Sequence, residues 1–510
     1  MDRQRALEVV AWLFKWSIIL LGVSLSCSKF LMTIGQISAL FFLLVGFILD
    51  RKLLQKPSLF FWGFILLYGL HILWLIPDGD LAYGLKDLRI KLPLLTIPFA
   101  FAFAPAKWLP SKNMLFGFLL AGFIGSTLYS FTLYMGWTHW REIQSFRDYS
   151  PLVSHIRLIT IGVGLFFWSF FLWKKQVWKV LAFGIYLALV ISLFQSLTGL
   201  ATLGFGMVFG LLKWGSKWVR ISTVVTAIAL VSVVFAAWQN YNTLDPEYRA
   251  PQKTDKSPWG VHYKNTSSHQ INNHHPIWDY VEKGSMRFAW LKRTNISPDS
   301  LTENGNRIEG ILINYLTAKG LRKDLNGVNA LSEEDISKIL KGHFLPDWEE
   351  KTPLERRMIT TFNEINLMRD GMVPNGQSVS LRLLYLQTGF NIWEPNKWLG
   401  IGTRNIQNAF QQYYQEELPQ LKEQYRRKTH NQWMSFLILF GIIGCLPLLL
   451  FFAYSMPKTK LASWALLVLL TQFLTFFWED TLENQVGVTV FSFFFCLCLI
   501  YSKEPDKISL

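Results

Sequence analysis

The sequence predicts an all-α integral membrane protein that crosses the bilayer about twelve times and carries one large, mainly helical insert. Three observations predict it. Half of the 510 residues are hydrophobic (51%) and only 17% are charged, well below the roughly 25% charge of soluble chains. Long apolar runs recur along both ends of the chain. Phe (41) and Trp (22) are abundant, as expected where rings pack against lipid and sit in interfacial belts. The formal charge of +15 would suggest nucleic acid in a soluble protein. In a membrane protein it is the ordinary result of Lys and Arg gathering on cytoplasmic loops, so no nucleic-acid partner is expected.

A helix needs about 20 apolar residues to cross the hydrocarbon core. Candidate spans are 8–26, 30–49, 59–76, 90–106, 113–136, 155–173, 177–195, 197–213, 217–238, 432–454, 460–478 and 485–501. The runs 90–106 and 197–213 are near the lower limit, so tilted or broken helices are expected there. No small-residue cleavage site follows the first run, which therefore reads as a retained span. Cys27, Cys445, Cys496 and Cys498 all lie in or beside apolar runs and read as packing residues without a disulfide framework or zinc spacing.

Loop charge orients the chain. One set of loops holds Arg3 and Arg5; Arg51, Lys52 and Lys56; Lys107 and Lys112; Lys174, Lys175 and Lys179; Lys213, Lys217 and Arg220; Lys458 and Lys460; and Lys503. The alternate loops carry Asp78 and Asp80; Glu142 and Asp148; and Glu479, Asp480 and Glu483. With twelve spans, every basic loop falls on one side. Both termini are then cytoplasmic and the polar insert faces a periplasm-like compartment. The expected organisation is a membrane region 1–238, a periplasmic domain 239–431 and a second membrane region 432–510.

The insert shows amphipathic helical stretches. Residues 307–319 place Ile308, Ile311, Leu312 and Tyr315 on one face. Ser332 precedes three acids and reads as a helix cap. Pro353 sits in the first turn of another helix over 353–370. Residues 240–285 show no period and read as loop.

The chemistry-bearing stretch is 378–444. Arg382 lies near the start of an amphipathic helix. Pro395 and the Leu399-Gly400-Ile401-Gly402 run break it, Asn405 follows, and His430-Asn431-Gln432 stands at the mouth of the tenth span. Singly, each has a plain reading. Arg382 suits a solvated helix face, His430 an interfacial cap, and Gly400 and Gly402 a turn.

Together, this order of Arg382, Pro395, Gly400, Gly402, His430 and Asn431, running into Gly441-Ile442-Ile443-Gly444, resembles the O-antigen ligase/polymerase superfamily of membrane glycosyltransferases. The segment from Asn314 to Ile336 and the Trp478–Gly487 stretch are similar to Bacteroidetes-type members. The resemblance implies a GT-C-like architecture in the bacterial inner membrane, with no metal or other cofactor. It also implies an undecaprenyl-pyrophosphate-linked glycan donor, a lipid-linked or glycan acceptor, and membrane lipids as surroundings. Arg382 then maps to the arginine that clamps the pyrophosphate, whose charge a guanidinium matches as a bidentate fork. His430 maps to the histidine that orients or deprotonates the attacking hydroxyl. Asn431 goes with it, and Gly400 and Gly402 form the turn.

Many members carry a further arginine where this chain has Leu197, within Gln195-Ser196-Leu197-Thr198-Gly199. Substitutes are His155 and Arg157 at the start of the sixth span, since a guanidinium one turn inside a membrane is costly unless used; snorkelling is the alternative for Arg157. Arg89 and Lys91 are a second pair, and Glu483 with Glu479 and Asp480 are acids positioned to meet these cations. Alternatives are a repeat-unit polymerase of the same superfamily, protein O-glycosylation and, from another class, a transporter. The candidate polar residues cluster at span mouths, not at mid-depth, which argues against transport.

Overall fold

The computed structural model describes residues 3–53, 55–57, 59–138, 146–263, 268, 270–455 and 461–502. Glu142, Lys458, Lys460 and Lys503, used above to orient the chain, lie outside the described residues. The chain is an all-α membrane protein whose described residues divide into two compact units, residues 1–223 with 382–510, and residues 224–381.

Seven described helices are long and apolar enough to cross a membrane: Arg3–Cys27, Lys29–Leu49, Lys112–Tyr134, His155–Leu172, Leu197–Trp214, Lys217–Asn242 and Gln432–Ser455. Shorter apolar helices, Leu59–Leu73, Val177–Leu193, Ser463–Thr475 and Gln485–Tyr501, match further candidate segments. The apolar run 90–106 is corrected. It begins inside a helix that starts at Leu81, where Asp80 caps by accepting from the Tyr83 N–H at 3.0 Å. That helix, Leu81–Lys91, passes directly into Pro93–Phe103, because Leu92 keeps right-handed helical angles and Pro93 takes the first position of the second piece. The charged first half, with Asp87, Arg89 and Lys91, is what hid it from a hydropathy window.

In the first unit, Gln485–Tyr501 is the central helix. It is apolar on all sides, and from Val486 to Cys498 every residue is buried, as expected of a helix ringed by others. Phe493 packs on Phe101, and Phe495 on Phe60 and Phe64. Ser463–Thr475 lies along His155–Leu172, with Trp464 stacked on Trp168 at 5.1 Å. Lys217–Asn242, which runs from one unit into the other, contrasts with these: Thr223 is its one buried residue among those described, the pattern of a span surrounded by lipid.

The second unit has its own core, built on Trp290, Leu312, Tyr315, Leu316, Val328 and Ile339. The helix expected over 307–319 is Ile308–Ala318. Ser332 and Asp335 form a reciprocal capping box at the start of Glu333–Leu340, and Asp335 also accepts from the Tyr315 hydroxyl at 2.6 Å and from Lys319 at 2.7 Å. Thr352 and Glu355 cap Pro353–Arg369 in the same way. Residues 240–285 are largely irregular, with one small antiparallel pairing of Ile271–Asn272 with His275–Pro276.

Hydropathy closes the polar insert at 431, whereas the compact unit closes at Leu381. The reason is that 382–431, though polar, is hydrogen-bonded into the membrane helices, as follows.

Candidate functional site

The first element of the site is a break in a span. Within Gln432–Ser455, Gly441 has φ 62° and ψ −173°, a region open essentially to glycine alone. The helix ladder stops there and its freed backbone groups need partners, because lipid offers none. The turn 397–402 supplies them. The Ile401 and Gly402 N–H groups donate to the Ile438 and Leu439 carbonyls at 2.8 and 3.1 Å, while the Ile442 and Ile443 N–H groups donate to the Lys397 and Trp398 carbonyls at 2.8 and 3.0 Å. Gly400 has φ 69°, and a Cβ there would stand 2.5 Å from the Leu439 carbonyl oxygen. Gly402 has φ 85°, and the following Thr403 N–H donates to the Trp74 carbonyl at 2.9 Å. Arg404 and Asn405 then hold the loop before Leu81: Arg404 donates to the Leu75 and Gly79 carbonyls, and Asn405 to that of Asp78 at 2.7 Å.

The second element is the His430 turn. His430 has φ 48°, a left-handed conformation that costs a non-glycine residue roughly 1–2 kcal/mol. Asp480 holds it. One carboxylate oxygen accepts from the His430 N–H at 2.9 Å. The other accepts from Thr429 Oγ1 at 2.8 Å, the Asn431 N–H at 3.1 Å and Ser435 Oγ at 2.9 Å. The Asn431 side chain caps the following helix by accepting from the Met434 N–H at 2.9 Å, and donates to the Phe477 carbonyl at 3.0 Å. The imidazole of His430 stacks on Tyr385, with ring centres 5.4 Å apart.

The third element is Glu479, on which the predicted cations converge. Arg382 Nη2 lies 3.2 Å from Glu479 Oε1, and His430 Nδ1 lies 3.7 Å from Oε2, an ion-pair separation too long for a hydrogen bond. Burial pushes this carboxyl up, but His430, then Arg157 and Arg382, outweigh it and bring it down to about 2. Glu479 is the covered member, its side chain 11% exposed, while those of Arg382 and His430 are 29% and 33% exposed. Arg157, Thr160, Gln472, Thr475, Glu479 and Thr481 line one small cavity. Among the described residues, two of its buried donors, Arg157 Nε and Gln472 Nε2, have no hydrogen-bond partner.

Beside this lies an ion network that sequence reasoning caught only in part. Lys91 is fully buried, 2.5 Å from Asp87 and 3.1 Å from Glu483, and Asp87 lies 3.7 Å from His71. Glu483 also pairs with Lys428, which is 3.2 Å from the Tyr83 hydroxyl. Burial pushes the Glu483 carboxyl up, but Lys428 and Lys91 drive it below the usual carboxylate range. Lys428 is held above the usual lysine range, since burial is outweighed by Glu483.

The site residues read from sequence thus fall into groups. His430, Arg382 and Arg157 meet at Glu479. Asn431, Gly400 and Gly402 have defined backbone roles, and Lys91 and Glu483 form a buried pair. His155 is half-buried, with its ring 6.1 Å from Phe194. Arg89 is exposed and joins none of the contacts described, because two residues' separation from Lys91 places it on the opposite side of the helix. Leu197 opens a helix whose cap is Ser196, accepting from the Gly199 N–H at 3.1 Å. Asp87, Lys428, His71, Tyr83 and Tyr385 were not anticipated. The Asp87–Lys91 spacing of four at the head of a span was the signal available for one pair; the others are far apart in sequence.

Fold and site together define a multi-pass membrane protein with a cluster of cations and acids gathered at the ends of its helices. No curated protein matches the chain. Residues 354–449 match the family described as O-antigen ligase, a segment that contains Arg382, both turn glycines, His430 and Gly441. The match supports the O-antigen ligase superfamily, whose members are membrane glycosyltransferase-like ligases and polymerases.

Proposed function

We propose that the chain is an O-antigen ligase-like transferase that moves a glycan from an undecaprenyl-pyrophosphate carrier to a sugar hydroxyl, on the periplasmic face of the inner membrane. The observation that carries this reading is the gathering of Arg157, Arg382 and His430 around Glu479. Two guanidinium groups stand in one site, their charge offset by Glu479 and Asp480, and their planar donor forks are suited to a diphosphate. The unpartnered Arg157 Nε and Gln472 Nε2 are donors ready for phosphate oxygens. The acceptor hydroxyl attacks the anomeric carbon, the bond from that carbon to the phosphate oxygen breaks, and the electron pair leaves with the pyrophosphate, stabilised by the fixed cations. His430 takes the hydroxyl proton on Nε2, and Glu479, 3.7 Å from Nδ1, stabilises the imidazolium. In this reading the insert faces the periplasm.

The test is transfer by the purified protein, reconstituted with a lipid-linked glycan and an acceptor. His430→Ala and Arg382→Lys are expected to lower the rate at least about 100-fold while the protein stays folded. Wild-type transfer by His430→Ala would remove the catalytic role. Glycan analysis of a deletion strain separates ligase from polymerase: ligase loss leaves unattached polymer on the lipid carrier, and polymerase loss leaves single repeats on the acceptor.

A further inference from the structure

Helices His155–Leu172, Val177–Leu193, Leu197–Trp214 and Ser463–Thr475 enclose an apolar groove of about 360 Å³. Phe167, Phe170, Trp173, Met207, Trp214 and Leu467 line it. Gly206 and Gly210 lie one turn apart on the same face of Leu197–Trp214, and Phe167 packs on Gly206, where a Cβ would stand 2.5 Å from its ring. At Gly210 the nearest atoms to an added Cβ are 3.6 Å away, so the groove itself has room.

The groove has a cationic end. Lys174 is its one charged lining residue. Lys213 Nζ sits 5.5 Å from the ring centre of the lining Trp214, and Lys179 Nζ lies between Trp178 at 5.5 Å and the lining Trp173 at 6.0 Å, which brings two more ammonium groups to this end. The segments 173–179 and 213–220 contain Lys174, Lys175, Lys179, Lys213, Lys217 and Arg220 and no acid. Among the described residues none of these cations has a carboxylate partner. Arg220 instead donates to the Gly215 carbonyl at 2.9 Å. Lysines at one face are expected from topology alone. Their placement over the aromatic walls of an open apolar groove is not, and it presents chain-like and anion-like complementarity side by side.

From this charge complementarity we propose that the groove is a binding site for one anionic glycerophospholipid, an acyl chain lying along Met207 and Gly210 and the phosphate among Lys174, Lys179 and Lys213. This is not the His430 site. Arg157 lies in the first turn of His155–Leu172 and Phe170 in the last, which separates the two by about 20 Å along the helix. The inference rests on the membrane fold and is independent of the transferase reading.

The test uses the full-length protein in detergent, offered phosphatidylglycerol or phosphatidylethanolamine, with bound lipid counted by native mass spectrometry. One retained phosphatidylglycerol per chain is expected, preferred about tenfold or more over phosphatidylethanolamine, since each lysine near an anionic headgroup adds to the affinity. Replacing Lys174, Lys179 and Lys213 together by Ala is expected to bring phosphatidylglycerol down to the phosphatidylethanolamine level. Gly210→Phe, which fills the groove, is expected to lower retention of both. Far-UV circular dichroism checks folding; if Gly210→Phe fails it, the lysine variant alone decides. Equal retention of the two lipids, unchanged retention in the lysine variant, or preferential displacement by a polyprenyl phosphate would each overturn the proposal.

Discussion

Asp480→Asn is the substitution that most directly tests how the His430 turn is held. The amide keeps one acceptor oxygen, which can still serve Thr429, Asn431 and Ser435. Its NH₂ then stands where the other oxygen accepted from the His430 N–H at 2.9 Å, and two donors face each other. One charge-assisted hydrogen bond is lost, about 1.5–3 kcal/mol, and the remaining three weaken as the charge disappears. Against this, His430 is released from φ 48° and recovers roughly 1–2 kcal/mol as it relaxes. The lost bond and the relaxation leave about 1 kcal/mol, and the three weakened bonds at roughly 0.5 kcal/mol each bring the expected net loss of stability to about 2–3 kcal/mol. The effect on transfer should be larger than that on stability. A backbone flip at His430 moves the imidazole off Tyr385 by more than about 1 Å, and misplacement of that size costs on the order of 100-fold in rate. Ser435→Ala is the control. It removes one donor to Asp480 and leaves the His430 bond, so about 1 kcal/mol of stability and little activity should go. The assay pairs tryptophan-fluorescence unfolding in detergent with transfer in liposomes. A folded Asp480→Asn protein that transfers at the wild-type rate would show that Asp480 does not set the position of His430.

Four further outcomes are expected. Glu483→Gln leaves Lys428 without its carboxylate and Lys91 with Asp87 alone, and should cost about 3–5 kcal/mol as a broken buried pair; adding Lys428→Met should recover part of it in the same unfolding measurement. Glu479 falls to about 2 in the fold against 4.5 for a free glutamate, so its contribution is present above pH 4.5 and lost as pH falls through about 2. Acid titration of unfolding should show Glu479→Gln losing the low-pH part of the slope. Gly441→Ala places a Cβ against the Trp398 backbone at φ 62° and should abolish folding or expression, whereas Gly117→Ala, with nothing within 4 Å, should be neutral. In the insert, burial holds Lys323 down to about 8 against 10.5. The fold therefore binds that proton more weakly than the unfolded chain, and stability rises between pH 8 and 10.5. Lys323→Met should stabilise the full-length protein by about 1–3 kcal/mol at pH 7, offset in part by the bond to the Pro276 carbonyl, and the gain should vanish above pH 10.5.

Hydropathy alone determined that this is a helical membrane protein, because lipid tolerates few backbone arrangements and demands long apolar runs. Local chemistry determined the caps at Ser332 and the glycine turn at 400–402, since capping and positive φ depend on neighbours in sequence. The order of Arg382, the glycines and His430 was legible as well. What only the tertiary structure decided is which charges meet. Asp87, Lys91, Lys428 and Glu483 come from three distant segments. Glu479 gathers Arg157 and Arg382 from two further segments and His430 from the one that carries Lys428. Arg89 and Lys91, two residues apart, fall on opposite sides of one helix. Gly441 reads in sequence as an ordinary small residue of an apolar span, and its role appears only when the 397–402 turn is seen docked in the break. Ion pairing and backbone satisfaction act through space at a few ångströms, and a linear pattern carries no record of that proximity.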